Sequence, residues 1–209
     1  MQQFTNQNFH ALCNELAAKD KHMEQILSTY GYPPFWTRPN TFETLVLTIL
    51  EQQVSLASAY AAYKKLKDRL PKITPKALLQ LTDEELRSCY FTRQKTVYVR
   101  ELAIALLTKR INLKSFEAKE NEAVRQELIA LKGIGNWTID IYLLHALQRT
   151  DVFPIGDLAL VNAIRMIMEE ALTKEEIIEL SHKWKPYRSI ATMMFWHYYI
   201  RKKNIKLLH

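Results

Sequence analysis

The chain is poor in glycine and cysteine and has no long apolar run. Four glycines and seven prolines in 209 residues are too few for the turns of an all-β sandwich or barrel, which come about every 8–12 residues, so the composition favours helices. The two cysteines, Cys13 and Cys89, cannot supply the four thiolates of an iron–sulfur cluster. Each lies in an amphipathic pattern and reads as a buried or half-buried thiol. The N-terminal stretch MQQFTNQNFHALCNEL lacks a basic segment followed by a continuous apolar core, so no signal peptide is expected. No run approaches the roughly 20 apolar residues of a membrane span. These absences lead us to expect a reducing, cytoplasmic location and no membrane partner.

Hydrophobic residues make up 48% of the chain, enough for a substantial core, and the length suits one domain or two small lobes. Twenty-nine Lys and Arg stand against 22 Asp and Glu, a formal net charge of +7. That balance favours a polyanionic partner, although a basic surface has many ordinary causes. We find no internal repeat and no low-complexity linker.

The stretch 131–157, LKGIGNWTIDIYLLHALQRTDVFPIGD, organises the rest. Two glycines, Gly133 and Gly135, separate apolar-periodic segments over 123–131 and 137–148. This is the pattern of a helix, a tight turn and a second helix. Glycine permits positive φ and close backbone approach, and the unpaired amides opening the second helix suit a phosphate. Asp157 follows Pro154 and Gly156 and precedes a helical run over 158–172, so it can serve simply as that helix's N-cap.

Elsewhere the periodicity predicts helices over 5–30, 41–52, 56–70, 96–109, 175–183 and 187–202. Shorter ones open at Thr74-Pro75 and at the capping box Thr82–Glu85. Thr41, Ser55 and Thr173 read as caps. Residues 91–95 read as a loop with two cations and 109–119 as a polar connector. The aromatic loop YGYPPFWTRP (30–39) offers Phe35 and Trp36 either as a seal over the core or as the wall of a pocket for a flat ring.

Four segments, taken in order, resemble the helix-hairpin-helix DNA glycosylases, and among them the bacterial 3-methyladenine DNA glycosylase II branch. They are ILEQQVSLASA (49–59), LKGIGNWT (131–138), DVFPIGDLAL (151–160) and WKPYRSIATMMFW (184–196). The resemblance covers roughly residues 33–200. It implies an all-α, two-lobed fold in a single domain. One lobe would be about 41–150, including the hairpin 123–148, and the other 1–40 plus 151–209. A cleft between them would hold Asp157 and the hairpin at its mouth.

The resemblance also implies roles. Asp157 would be the catalytic carboxylate. Trp137 and Trp196 would line the base pocket, against a core-packing role for each, and Trp36 of the aromatic loop is the further candidate for its wall. Lys132 and the backbone of Gly133, Ile134 and Gly135 would hold a phosphate. Gln53, with Ser55 beside it, would contact DNA, Gln53 as the wedge that fills the space of a flipped nucleotide. The carbonyls of Ile129, Leu131 and Ile134 would ligate a monovalent cation, Na+ or K+, with no other cofactor required. Arg188 would bond a carboxylate or take part in catalysis. Lyase members carry a lysine two residues after the second hairpin glycine; this chain has Trp137 there, so strand cleavage is not expected.

The expected activity is excision of alkylated purines from double-stranded DNA by a monomer. Two other readings compete with it. One is a non-catalytic hairpin module that binds DNA or senses damage. The other is a glycosylase for oxidised or deaminated bases.

Overall fold

The computed structural model describes residues 2–205; Met1 and 206–209, the end of the expected second lobe, lie outside the described residues. Among these, thirteen α-helices and one 3-10 turn form, and no strand beyond an isolated bridge between Gln3 and Arg149. The fold is all-α. No helix among the described residues is long and apolar enough to cross a membrane.

The chain separates into two compact units. One comprises, of the described residues, 2–37 and 143–205; the other is Arg38–Tyr142. The first holds α1 (Phe9–Lys19), α2 (Lys21–Tyr30), α11 (Leu158–Met168), α12 (Lys174–Ser181) and α13 (Arg188–Lys202). The second holds α3 (Phe42–Glu51), α4 (Leu56–Arg69), α5 (Pro75–Gln80), α6 (Asp83–Ser88), α7 (Arg93–Leu107), α8 (Leu113–Phe116) and α9 (Asn121–Ile129). The boundary falls within α10 (Asn136–His145).

Short polar side chains start these helices. Thr41, Ser55, Thr74, Thr82, Asp157 and Thr173 each accept an N–H bond from the first turn that follows. Thr82 with Glu85 and Thr173 with Glu176 close reciprocal capping boxes, so amides that lack a helical partner are satisfied locally. Two stretches differ from the sequence expectation. Thr92 accepts the Lys95 amide at 3.1 Å, so α7 begins at Arg93 and its two cations sit on a helical turn instead of in a loop. Lys95 donates to the Leu50 carbonyl at 2.6 Å, and burial pulls its pKa below the usual lysine value. The connector after α7 contains α8, which Asn112 caps and the buried Leu113 and Phe116 pin to the core.

In the first unit α13 is the central element. Every residue from Ser189 to Phe195 is buried, as are His197 and Tyr198, and α1, α2 and α11 pack around it. Trp184, just before it, is fully buried with its ring 4.9 Å from Phe195. Phe35 packs edge-on against Phe9 and Phe4, with centroids at 5.4 and 6.0 Å, so this ring seals the core. Both cysteines are buried and free, and desolvation pushes the Cys13 thiol up to about 12. In the second unit α3 and α7 supply the buried aliphatic face, including Leu45, Ile49, Val99 and Leu102. Arg38 forms a two-pronged pair with Glu51 at 2.6 and 2.8 Å.

One carboxylate ties together three parts of the first unit. Asp20 caps α2 through Oδ1, which accepts the His22 amide at 2.8 Å. Its Oδ2 accepts the Trp184 indole N–H at 2.9 Å and pairs with Lys183 at 2.7 Å. Burial works against its ionisation. Hydrogen bonds from Lys183, Trp184 and the His22 amide outweigh that and hold the carboxyl below the ordinary aspartate value of 3.8. A depressed folded-state pKa stabilises the protein above the unfolded value, and that contribution is lost as pH falls through the folded one. Asp20→Asn, which keeps the cap and loses the charge, should cost roughly 1–3 kcal/mol at pH 7 and flatten the fall in stability below about pH 4. Urea unfolding at pH 7 and pH 3 checks this; an unchanged pH dependence would refute it.

Candidate active site and nucleic-acid interface

The loop that carries Asp157 is fastened to the start of α13. Arg188 donates to Asp151 through Nε at 2.6 Å and a terminal nitrogen at 2.9 Å. The Ser189 amide donates to the Thr150 carbonyl at 2.9 Å, and the Ser189 hydroxyl accepts the Val152 amide at 3.0 Å. Arg188 is therefore the bond to a carboxylate that the sequence left as one of two options. Beyond this zip the chain turns tightly: the Asp157 amide donates to the Pro154 carbonyl at 2.8 Å. Asp157 then caps α11, its Oδ1 accepting the Leu160 amide at 2.8 Å.

The same oxygen also accepts the Trp196 indole N–H at 2.9 Å. Trp196 lies eight residues beyond Arg188 on α13, which at about 1.5 Å per residue is about 12 Å along the axis. The helix that anchors one end of the loop thus meets the carboxylate at the other. Asp157 and Trp196 are both half-buried, so the pair lies at the surface of its unit. Behind Trp196 is His145, the last residue of α10. Its ring lies parallel to the indole within 10°, with centroids at 5.5 Å, and its Nδ1 is 2.8 Å from the Trp36 carbonyl. Trp36 is half-buried against the core cluster, with its ring 6.4 Å from His197. Of the residues singled out from sequence, Asp157 and Trp196 are therefore in direct contact in this unit, and the Trp36 backbone reaches Trp196 through His145. Trp137 belongs to the other unit, half-buried on the first turn of α10.

The hairpin joins α9 to α10 through residues 130–135. Gly133 has φ of +88°, and a Cβ there would lie 2.0 Å from the Tyr98 ring of α7. Its glycine is required twice, by conformation and by space. Gly135 has open space around it. Arg125 of α9 donates to Asn136 at 2.9 Å and to Asp140 at 2.5 Å, which clamps the two helices. Lys132 is exposed. The Leu131 carbonyl accepts the Ile134 amide at 3.1 Å and keeps a second lone pair. Ile129 closes α9, and Leu131 and Ile134 lie in the turn that follows. No group of His, Cys, Asp and Glu that could hold a metal ion occurs among the described residues.

The α3–α4 corner is tied to this hairpin. Gln52 donates to the Gly133 carbonyl and to the Thr138 hydroxyl, both at 2.9 Å. Gln53, next in the chain, is exposed and left-handed with φ of +55°. Ser55 caps α4, accepting the Ser58 amide at 3.2 Å. Sequence reasoning passed over Gln52, Tyr98 and His145. A cap or a glycine has a local signature; a glutamine reaching across to another turn, or a ring filling the space above a glycine, has none.

Residues 46–186 match the family described as HhH-GPD superfamily base excision DNA repair protein. A DNA-3-methyladenine glycosylase of Bacillus subtilis is 28% identical over 172 residues, 76% of this chain. Another B. subtilis relative is 27% identical over 186 residues. The chain spans 57% and 64% of the lengths of these two relatives. Among solved structures, the 3-methyladenine DNA glycosylase of Schizosaccharomyces pombe in complex with abasic DNA superposes with a TM-score of 0.84 at 25% identity, covering 92% of this chain and 97% of that one. A DNA-3-methyladenine glycosidase from Bacillus halodurans gives 0.77 at 27% identity, covering 98% and 95%.

Gly133→Ala should destabilise the protein by roughly 2–4 kcal/mol, combining a positive φ with the clash against Tyr98, whereas Gly135→Ala should change stability by less than about 1 kcal/mol. Thermal unfolding of the two variants checks the contrast. Adding Tyr98→Ala to Gly133→Ala should recover part of the loss; no recovery would mean that the ring does not set the requirement.

Proposed function

Because the chain belongs to the HhH-GPD superfamily of base excision DNA repair proteins, we propose that it is a monofunctional DNA glycosylase. Its substrate is an alkylated purine of the 3-methyladenine type in duplex DNA, and its reaction is hydrolysis of the N-glycosidic bond. The observation that carries this reading is the Asp157 carboxylate, aimed by two N–H donors on one oxygen at the surface of its unit. Departure of the base leaves positive charge on the deoxyribose, and a fixed carboxylate stabilises that state and orients the attacking water. An alkylated purine is already cationic and leaves as a neutral base with the bonding electron pair, so a carboxylate suffices without strong acid catalysis. The Trp196 face suits a cationic ring through cation–π attraction worth about 0.5–2 kcal/mol. The names carried by the relatives favour the same substrate class.

On the DNA side, the amides of Gly133 and Gly135 with the Lys132 ammonium hold one backbone phosphate, while the Ile134 amide is taken by the Leu131 carbonyl. A Na+ or K+ on the carbonyls of Ile129, Leu131 and Ile134 would bridge the turn to that phosphate. Gln53 projects from a corner that Gln52 fastens to the hairpin, which suits a wedge into the stack of a duplex held there. Asp157 also favours catalysis over a binding module, since capping α11 alone does not call for a second donor on the carboxylate at the surface of its unit.

Incubating the protein with methylated duplex DNA should release methylated purines, identified by mass. Asp157→Asn should lower the release rate by at least about a hundredfold while leaving affinity for abasic DNA nearly unchanged. The product should be intact abasic DNA, with no borohydride-trapped adduct, because an indole at position 137 cannot form a Schiff base. Near-normal turnover by Asp157→Asn would overturn the catalytic assignment, and a strong trapped band would move the protein to the lyase class.

Gln53→Ala should slow excision more from duplex than from single-stranded DNA. Unstacking costs a few kcal/mol in the duplex alone, and the wedge offsets part of it. Equal losses on the two substrates would remove Gln53 from that role.

A further inference from the structure

His145 is buried at the end of an apolar helix, and nothing in the proposed chemistry so far uses it. Its surroundings are specific. A carbonyl oxygen only accepts, so Nδ1, 2.8 Å from the Trp36 carbonyl, carries a proton, and the ring cannot flip without losing that bond. The ring lies within 10° of the Trp196 indole plane at a centroid separation of 5.5 Å, an offset stack. Trp196 in turn donates its indole N–H to the oxygen of Asp157 that caps α11. An indole has two side-chain torsions. The carboxylate fixes one edge of it, and only a contact on its face fixes its tilt.

We propose that His145 is a positioning residue for base excision: bonded to the Trp36 carbonyl and stacked on Trp196, it holds the indole plane and thereby the aim of the Asp157 carboxylate. The imidazole stacks on one face of Trp196, and in this role it acts through the indole without touching the substrate. Truncating it lets the indole tilt, which weakens the wall for the base and loosens the indole N–H donor on Asp157. The stack carries this role more than the hydrogen bond does, because it is the ring that constrains the tilt. The inference rests on the glycosylase reading above.

Three variants separate the parts. His145→Ala loses stack and hydrogen bond, His145→Asn keeps a short donor toward the Trp36 carbonyl, and His145→Phe keeps a ring and loses the donor. Single-turnover release from methylated duplex is measured for each, together with the Kd for abasic duplex and the thermal midpoint. We expect His145→Ala and His145→Asn to lose about five- to tenfold in the release step, equivalent to about 1–1.4 kcal/mol, with Kd within about twofold. His145→Phe should stay within about twofold of the parent rate. A packing role alone would lower the midpoint and leave the rate per folded molecule unchanged.

Parent-like release by folded His145→Ala overturns the proposal, as does a His145→Phe rate as low as that of His145→Asn. If His145→Ala does not fold, the Phe and Asn pair decides. Parent protein without base release, or fully active Asp157→Asn, refutes the glycosylase reading and this inference with it. That result is distinct from one in which only the His145 variants behave unexpectedly.

Discussion

The first unit depends on the near-complete burial of α13. A helix covered on almost every side has no solvent face, so each side chain on it must pack or find a polar partner inside. Ser189 and Arg188 meet that demand by bonding residues 150–152, Trp196 by bonding Asp157, and His197 by contacting the Tyr30 carbonyl at 3.0 Å. The polar requirements of one buried helix thus fix the loop that bears the carboxylate at both of its ends. The Asp157 loop and the core share the same atoms in this region, and a change to either is felt in the other.

The hairpin obeys a different constraint. Its shape is set by the absence of a side chain at Gly133, where the Tyr98 ring occupies the space of a Cβ, and by a glutamine that reaches from the α3–α4 corner to the same backbone. Neither feature needs a ligand to hold it. The turn is formed in advance, which would lower the ordering cost of engaging the phosphate proposed for it.

Much of this was legible in the residues themselves. Threonine and serine caps marked the helix starts because their hydroxyls act over three residues, within reach of a local pattern. Gly133 and Asp157 stood out for the same reason. The sequence was less informative where tertiary contacts overrode local preference. Helix α10 is buried at every residue from Thr138 to His145, so the apolar periodicity read over 137–148 showed only part of what the fold covers. The start of α7 was misplaced because a Thr followed by cations reads as loop until its hydroxyl is seen to cap. His145 looked like any lone histidine on an apolar helix, and only the fold brings Trp196 and Trp36 against it.

The left-handed backbone at Gln53 has a consequence for what can occupy that corner. A residue held at φ of +55° costs roughly 1–2 kcal/mol for most side chains and is worst for those branched at Cβ. Valine, isoleucine and threonine are therefore disfavoured at the tip before any partner is considered, while asparagine, histidine, glycine or an unbranched chain such as glutamine remain open. The repertoire of side chains that can be presented here is filtered by main-chain geometry, so variation at this tip among proteins sharing the corner should follow the torsion angle first and the ligand second.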